Sequence, residues 1–277
     1  MTIARVLIIA GSDSGGGAGI QADIRTVTML GGHPMTAIAA ITAQNTLGVT
    51  AVHPVPTDMV IAQIDAVAAD IGVDAVKIGM IGSAETASAV ADRLEAMGDV
   101  PIVFDPVMIA SSGAVLADEA TIAAFARLMK IATVATPNAP ELAALTGLPV
   151  TSMAEAAIAA TRLFETHGCA VLAKGGHLPP VLRNGREMVG DLLVHEGAVV
   201  EYWNDRIETR NSHGTGCTLA SGIATGLATG LALQLSVDRA RDYLRAALAA
   251  APGLGAGHGP MGHALGGVPF DVMSGLA

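Results

Sequence analysis

The feature that most constrains the fold of this chain is a regular alternation, from end to end, of short apolar runs and longer Ala-rich stretches. The short runs are rich in Val and Ile, as buried strands are, and the longer stretches have the composition and length of helices. Strands are predicted at residues 4–10, 35–42, 75–78, 102–104, 133–135, 169–173, 189–194 and 199–203. Helices are predicted at residues 18–30, 57–71, 84–97, 118–130, 140–145, 153–167, 215–233 and 237–250. Such alternation implies crossover connections and a parallel sheet.

These elements predict an α/β fold, a three-layer α/β/α sandwich with a mostly parallel central sheet. The turn-like residues 195–198 separate the last two predicted strands and indicate a hairpin at one edge of the sheet. No stretch has the composition of a linker or a repeat, so we expect a single domain over residues 1–277. The chain is 51% hydrophobic and 14% charged, which excludes intrinsic disorder.

Charge and cysteine content limit the partners and the compartment. The chain has 15 Lys plus Arg and 25 Asp plus Glu, a net charge of −10, which argues against a nucleic-acid or anionic-membrane partner. The charge-free segment 211–237 is interrupted by polar residues and its uninterrupted apolar length is too short for a bilayer, so we predict a buried helix there. Cys169 and Cys217 have neither disulfide nor metal-site spacing, and we expect a reducing compartment, the cytoplasm.

Polar and glycine-rich segments follow most of the predicted strands. They are residues 11–19, 44–45, 79–80, 105–106, 136–138 and 174–177. Ligands of open parallel sheets bind outside the carboxyl ends of the strands. The binding and catalytic residues are therefore predicted to lie at one edge of the sheet.

A glycine-punctuated turn leads into the helix predicted at residue 215. Gly214, Thr215, Gly216 and Cys217, which we call the anion turn, would combine converging backbone N–H groups with the positive end of a helix. The turn suits a transferring phosphoryl group, although an ordinary helix start chosen for packing explains the same residues. In the first turn of a helix, Cys217 is a candidate base or nucleophile with a lowered pKa, or else a small packing residue.

Residues 17–22 fit the dinucleotide pattern G-x-G-x-x-A, but the match begins several residues beyond the strand, and the second strand ends at Gln44 where a ribose-binding acid is expected. We therefore interpret the loop as a place where a small substrate approaches the backbone. Asp23, on the following helix, either points toward that pocket or is an exposed carboxylate. The Gln44 amide can donate and accept along one edge, which suits an aminopyrimidine.

Phosphate and metal chemistry is available at the remaining strand ends. Lys174 can neutralise a phosphate, although a solvated lysine in an edge loop would explain the same residue. Asp105, Asn138 and Glu141 supply the oxygen ligands that a mainly water-coordinated Mg²⁺ requires. A turn at Asp105 and a helix cap formed by Asn138 and Glu141 would account for the same residues structurally.

Taken in order, these segments resemble the hydroxymethylpyrimidine and phosphomethylpyrimidine kinases of thiamine biosynthesis, within the ribokinase-like superfamily. The matching residues are Gly11-x-Asp13, 16–23, 43–45, 77–80, 105–108, Thr136-Pro137-Asn138-x-x-Glu141, 174–177 and Asn211-x-His213-Gly214-Thr215-Gly216-Cys217-Thr218-Leu219. The resemblance covers nearly the whole chain.

The resemblance implies a ribokinase-like fold, a homodimer, and ATP with Mg²⁺ for two successive phosphorylations of 4-amino-5-hydroxymethyl-2-methylpyrimidine. It implies that Asp23 and Gln44 hold the pyrimidine in a pocket lined by Gly11, Met80 and Val107. It also implies that the anion turn forms the anion hole and that Cys217 acts as the base. Asp105, Asn138 and Glu141 would organise Mg²⁺ and the phosphates, and Lys174 would lie near the nucleotide.

The sequence departs from the family at two places and leaves alternatives open. Ser14-Gly15 stands where the family usually has Pro-Ser, and Ser111 where a lysine is common. A pyridoxal-type kinase on the same fold is one alternative. Gln44 would distinguish the two activities, because pyridoxal has no aminopyrimidine edge for its amide to bind. A non-catalytic vitamin-binding or regulatory protein is another, and a nicotinamide oxidoreductase is the weakest.

Overall fold

The computed structural model describes residues 3–109, 113 and 116–267, so Ser111 lies outside the described residues. The strands are β1 (Arg5–Asp13), β2 (His33–Asn45), β3 (Gly48–Pro54), β4 (Ala75–Ile78), β5 (Ile102–Phe104), β6 (Val134–Ala135), β7 (Ala170–Ala173), β8 (Val181–Arg183), β9 (Arg186–His195) and β10 (Ala198–Asp205). The helices are α1 (Gly19–Met29), α2 (Thr57–Asp70), α3 (Ala84–Glu95), α4 (Glu119–Ile131), α5 (Ala139–Thr146), α6 (Met153–His167), α7 (Thr215–Ala228) and α8 (Leu233–Ala249).

The strands of the described residues form one sheet in the order β10-β9-β7-β6-β5-β4-β1-β2-β3, with β8 paired to β9. The six strands from β7 to β2 in this order pair in parallel, whereas β3, β8, β9 and β10 pair antiparallel at the two sides. The carboxyl ends of the parallel strands therefore meet at one edge, as the sequence predicted.

Side chains of β1 alternate between two separate cores. Leu7 and Ile9 pack with α2 to α6 on one face of the sheet, and Val6, Ile8 and Ala10 pack with α1, α7 and α8 on the other. All five are fully buried. A strand buried on both faces between two helical layers confirms the predicted three-layer α/β/α sandwich.

The predicted elements agree with the structure in the core and differ at its periphery. The predicted bounds of β4, β5 and α6 coincide with those observed, and the 195–198 turn joins β9 and β10 as predicted. The sequence analysis missed β3 and β8. The predicted 215–233 helix was too long, because α7 ends at Ala228, Gly230 has a φ of 84°, and α8 begins at Leu233.

Two glycines of α7 let that helix approach α8 closely. A Cβ on Gly222 would lie 2.8 Å from Ala240 Cβ, and one on Gly226 would lie 2.6 Å from Ser236 Oγ. Small residues thus allow backbone contact in a buried helix pair. Among the described residues, no helix combines the length and the apolar character that crossing a membrane requires.

We predict that Gly222→Val lowers the free energy of unfolding by about 1–3 kcal/mol, because the added side chain forces the backbones of α7 and α8 apart. Urea denaturation measures the loss. Ala246→Val, at an exposed position of α8, is the matched control and should cost only about 0.5 kcal/mol of helix propensity. A loss no larger than that of the control would contradict the close-packing explanation.

Candidate functional site

The carboxylate of Asp13, at the end of β1, organises the glycine loop that follows. Its Oδ1 accepts from the Gly15 amide at 2.8 Å, and its Oδ2 accepts from the amides of Gly17 at 2.9 Å and Ala18 at 2.8 Å. His213 Nε2 lies 3.0 Å from Oδ2. Burial by itself would raise the pKa of Asp13, but the hydrogen bonds from His213 and the amides outweigh it and lower the pKa. Asp13 is therefore an ionised anchor between two loops.

The anion turn packs backbone to backbone against the glycine loop. Gly214 has a φ of 87°, and a Cβ there would lie 2.0 Å from the carbonyl oxygen of Gly17. The amide of Thr218 donates to the Gly214 carbonyl at 2.9 Å. No atom of the described residues accepts from the amides of Gly216 and Cys217. These two N–H groups at a helix N-terminus are therefore available to a ligand, as the anion-hole prediction requires.

A buried ion pair lies directly beneath the anion turn. Lys174 Nζ donates to Asp105 Oδ1 at 2.7 Å, and the hydroxyl of Thr136 donates to the same oxygen at 3.0 Å. A Cβ on Gly216 would lie 3.1 Å from Lys174 Nζ and 3.3 Å from Asp105 Oδ2. The absence of a side chain at Gly216 thus leaves the ammonium and the second carboxylate oxygen next to the free amides.

Asn138 and Glu141 form a capping box at the start of α5. The Asn138 amide donates to Glu141 Oε2 at 2.8 Å, and the Glu141 amide donates to Asn138 Oδ1 at 2.9 Å. Glu141 Oε2 also lies 4.0 Å from Lys174 Nζ. Burial raises the pKa of Glu141 to about 7. The structural interpretation of these two residues is therefore confirmed, and their position beside Lys174 keeps them at the edge of the site.

Within the residues that the structure describes, no cluster of three or more His, Cys, Asp and Glu side chains could hold a metal ion. A carboxylate beside a lysine and a helix N-terminus nevertheless suits Mg²⁺ that is bound mostly by phosphate oxygens and water. Asp105 fits such an ion, and Glu141 and Asn138 fit a contact through water.

Asp23 lies on α1, as the sequence predicted, but its carboxylate is neither exposed nor unpaired. It is fully buried, its Oδ2 accepts from Lys77 Nζ at 2.8 Å, and its Oδ1 accepts from the hydroxyl of Ser221 at 2.7 Å. Burial would lower the pKa of Lys77, but the charges of Asp23 and Asp105 raise it, so the ammonium is charged. Both Asp23 oxygens are used inside the protein, which corrects the expectation of a carboxylate that contacts substrate or solvent.

The surroundings of Cys217 favour the neutral thiol at neutral pH. Burial raises its pKa to about 11, the carboxylates of Asp23 and Asp105 act in the same direction, and Lys77 acts in the opposite one. This corrects the expectation that the helix dipole lowers the pKa. The dipole is outweighed because the thiol lies in the same buried region as two carboxylates.

The predicted substrate-pocket residues lie at the strand ends. A Cβ on Gly11 would lie 2.2 Å from Met80 Cε, so these two residues are in contact. Val107 is half-buried, two residues beyond Asp105. The Gln44 amide, at the end of β2, lies 2.9 Å from His213 Nε2 and 3.2 Å from the hydroxyl of Thr42. Gln44 thus lies beside His213, the residue that precedes the anion turn.

The sequence analysis assigned no role to Asp13, His213 or Lys77, although all three lie in its quoted motifs. A signal for Lys77 was present, since the chain has only three lysines. No comparable signal pairs Asp13 with His213, because 200 residues separate them and only the fold brings them together.

Glu141 should make stability depend on pH. Its folded pKa of about 7 exceeds the unfolded value of 4.5, so between these values the folded state holds a proton that the unfolded state has lost. The free energy of unfolding should therefore fall as pH rises from about 4.5 to 7, by at most about 1.4 kcal/mol per pH unit. Denaturation of wild type and Glu141→Gln across this range measures the contribution, because Gln keeps the capping box.

Glu155→Gln is the matched control, since Glu155 lies at the same position of the α6 cap but is only half-buried. The difference between wild type and Glu141→Gln should depend on pH in this window with the sign given above. Parallel stability curves for these two proteins would contradict the assignment.

The sequence model of the phosphomethylpyrimidine kinase family matches residues 13–262. The bifunctional thiamine biosynthesis protein ThiED of Geobacter sulfurreducens is 46% identical over 94% of this chain, which spans 52% of that protein's length. The hydroxymethylpyrimidine/phosphomethylpyrimidine kinase of Rhizobium meliloti is 49% identical over 78% of this chain and 80% of its own. The Bacillus subtilis kinase of the same name is 40% identical over 95% and 96%.

Solved structures show the same fold with two kinds of acceptor in their names. The phosphomethylpyrimidine kinase of Clostridium difficile superposes with a TM-score of 0.76 and 35% identity, over 88% of this chain and 98% of that one. The pyridoxal kinase of Bacillus subtilis, solved as an ADP complex, has a TM-score of 0.85 and 29% identity, over 95% and 98%. The ribokinase-like fold is confirmed, and on the family match and the identities to its relatives the chain belongs to the phosphomethylpyrimidine kinases.

Proposed function

We propose that the protein transfers the γ-phosphoryl group of ATP to 4-amino-5-hydroxymethyl-2-methylpyrimidine and then to its monophosphate, the two steps that form the diphosphate for thiamine biosynthesis. The observation that carries this proposal is the pair of free amides at Gly216 and Cys217, directly above the Asp105–Lys174 ion pair. Free N–H groups at a helix N-terminus and an adjacent ammonium are what a transferring phosphoryl group requires.

In the phosphate half of the site, the residues of the chain act by position and charge. The amides of Gly216 and Cys217 donate to the equatorial oxygens of the transferring group, and Lys174 neutralises charge on the nucleotide. When bound, Mg²⁺ would neutralise further phosphate charge, and we assign it to Asp105, with Asn138 and Glu141 in contact through water. ATP as the donor is supported by the ADP complex of the similar pyridoxal kinase.

In the acceptor half, Gln44 presents its amide to the aminopyrimidine edge while Gly11, Met80 and Val107 line the ring. Gly11 matters because a side chain there would occupy the space of the Met80 methyl group. Asp23 supports this half indirectly, by fixing Lys77 beneath the strand ends at β4. This role replaces the direct substrate contact that the resemblance implied.

Cys217 is the group we assign to accept the proton of the hydroxymethyl acceptor. It stands in the first turn of α7, next to the free amides, and the nearby Lys77 ammonium favours its thiolate. A thiol with a pKa of about 11 is a base only in its minor ionised form, so the first phosphorylation should become faster as pH rises. The monophosphate is already ionised near neutral pH and needs no base.

Pyridoxal phosphorylation is the second candidate activity, because pyridoxal kinases share the whole fold. Gln44 is the observation against it as the main activity, since pyridoxal offers no aminopyrimidine edge to a Gln amide. The relatives at 40–49% identity are named for the pyrimidine reaction.

We further propose that the protein is a cytoplasmic homodimer. Both cysteines are free thiols, which suits a reducing compartment. The β2–β3 hairpin ends the sheet with exposed apolar side chains at Ile41, Leu47 and Val52, a surface that a second copy could cover. Light scattering of the purified protein measures the mass of the assembly.

The proposed function is tested by measuring ADP release with Mg²⁺ and ATP against three acceptors in parallel: hydroxymethylpyrimidine, its monophosphate and pyridoxal. Mass spectrometry identifies the products. Formation of the pyrimidine diphosphate is the expected result. Turnover of pyridoxal alone would overturn the acceptor assignment, and ligand binding without turnover of any acceptor would favour a regulatory protein.

We predict that Cys217→Ala lowers the rate of the first phosphorylation by about 10²-fold and leaves the second nearly unchanged. In wild type, kcat/KM for hydroxymethylpyrimidine should rise with pH from about 6 to 9, and this rise should be absent in the variant. Steady-state kinetics with each acceptor measures both effects, with Cys169→Ala as the control thiol variant. Equal losses in the two steps would contradict the assignment of Cys217 as base.

A further inference from the structure

We propose that Asp191 and Arg241 form a positioning unit that holds the loop after β7, and with it Lys174, in the geometry that binds the nucleotide. The inference rests on the proposed function, because it takes Lys174 as the residue that meets the nucleotide phosphates. Neither residue belongs to a motif that the sequence analysis singled out.

The unit reaches the loop through one backbone hydrogen bond. The Gly175 amide donates to Asp191 Oδ1 at 3.0 Å, and Arg241 Nε donates to Asp191 Oδ2 at 2.9 Å. The side chains of Arg241 and Asp191 are only 11% and 18% exposed. Each carboxylate oxygen thus has its own donor, and a largely buried Asp fixes the residue next to Lys174.

The loop is held on its other sides by backbone contacts. The Lys174 amide donates to the carbonyl of Pro137 at 2.9 Å, and the Leu178 amide donates to that of Gly175 at 2.9 Å. A Cβ on Gly175 would lie 1.8 Å from the carbonyl oxygen of Gly190, so the two main chains touch. With the Asp191 bond added, the main chain of residues 174–175 is fixed on one side by Pro137, after β6, and on the other by β9, which limits where the Lys174 ammonium can reach.

Arg241 explains how a carboxylate can serve in this position. An uncompensated acid close to a phosphate-binding loop would repel the nucleotide and would be costly to bury. The Arg241 guanidinium neutralises Asp191, and its carbon Cζ lies 4.7 Å from the ring centre of Tyr202, which holds it in place. The pair therefore supplies a hydrogen-bond acceptor to the loop without adding net charge.

The test compares Asp191→Ala, Asp191→Asn and Arg241→Ala with wild type. Asp191→Ala removes the acceptor of the Gly175 amide, so KM for ATP and the dissociation constant of ADP should rise by about 10-fold or more, while KM for hydroxymethylpyrimidine stays the same. Asp191→Asn keeps an oxygen for that amide and should restore most of the nucleotide affinity. Arg245→Ala, one turn further along α8, is the matched control and should change neither constant, because Arg245 is half-buried and donates to the Asp205 carbonyl instead of to the loop.

Isothermal titration with ADP and Mg²⁺ gives a readout that does not depend on turnover, and thermal unfolding identifies variants that fail to fold. If Asp191→Ala does not fold, Arg241→Ala should show the same selective loss of nucleotide affinity. Unchanged ADP affinity in a folded variant, or an equal rise in both KM values, would overturn the positioning role. Absence of turnover in wild type would instead contradict the proposed function, and the ADP titration would still decide the role of the pair.

Discussion

The whole site depends on the carboxylate of Asp13. Its two oxygens take three backbone amides of the glycine loop and the ring nitrogen of His213, so one side chain joins the end of β1 to the turn that precedes α7. The turn that carries the free amides of Gly216 and Cys217 is thereby held against the glycine loop, where Gly214 approaches the carbonyl of Gly17. Loss of this anion would release four donors at once, and each would need a new partner.

Charge in the site is balanced without a ligand, and this balance explains its chemistry. Lys77 faces Asp23 and Lys174 faces Asp105, while Glu141 has a pKa of about 7 and so can take up a proton. In such a neutral arrangement the thiol of Cys217 has no surplus of positive charge to ionise it. The first-turn position that predicts a reactive thiol from sequence is therefore not sufficient, because the buried charges around it decide the pKa.

The strands that could be predicted from the sequence are those that are buried on both faces of the sheet. Strand β5 is a continuous apolar run and β4 is interrupted only by Lys77, and the bounds of both follow directly from the sequence. β3 and β8 are mostly exposed and carry no such run, so only their pairing partners reveal them. In the site, the strand-end residues were predictable because parallel strands end together, but the inward direction of Asp23 was not. Its partner Lys77 is 54 residues away, and helix periodicity alone does not show which face is covered.

The two halves of the site differ in how well the fold tolerates substitution of their residues. The residues of the phosphate half also stabilise the fold. Asp105 is 1% exposed, and one of its oxygens accepts from both Lys174 and Thr136. Gly214 and Gly175 contact other main chains at positions where no side chain fits. Acceptor-half residues such as Gln44, Met80 and Val107 are half-buried side chains at strand ends. Replacing these would disturb little of the core. Under the proposed function, the phosphate half can therefore stay unchanged between kinases that act on different heterocycles. Selectivity for an aminopyrimidine is then assigned to these few side chains, with Gln44 proposed to meet its edge.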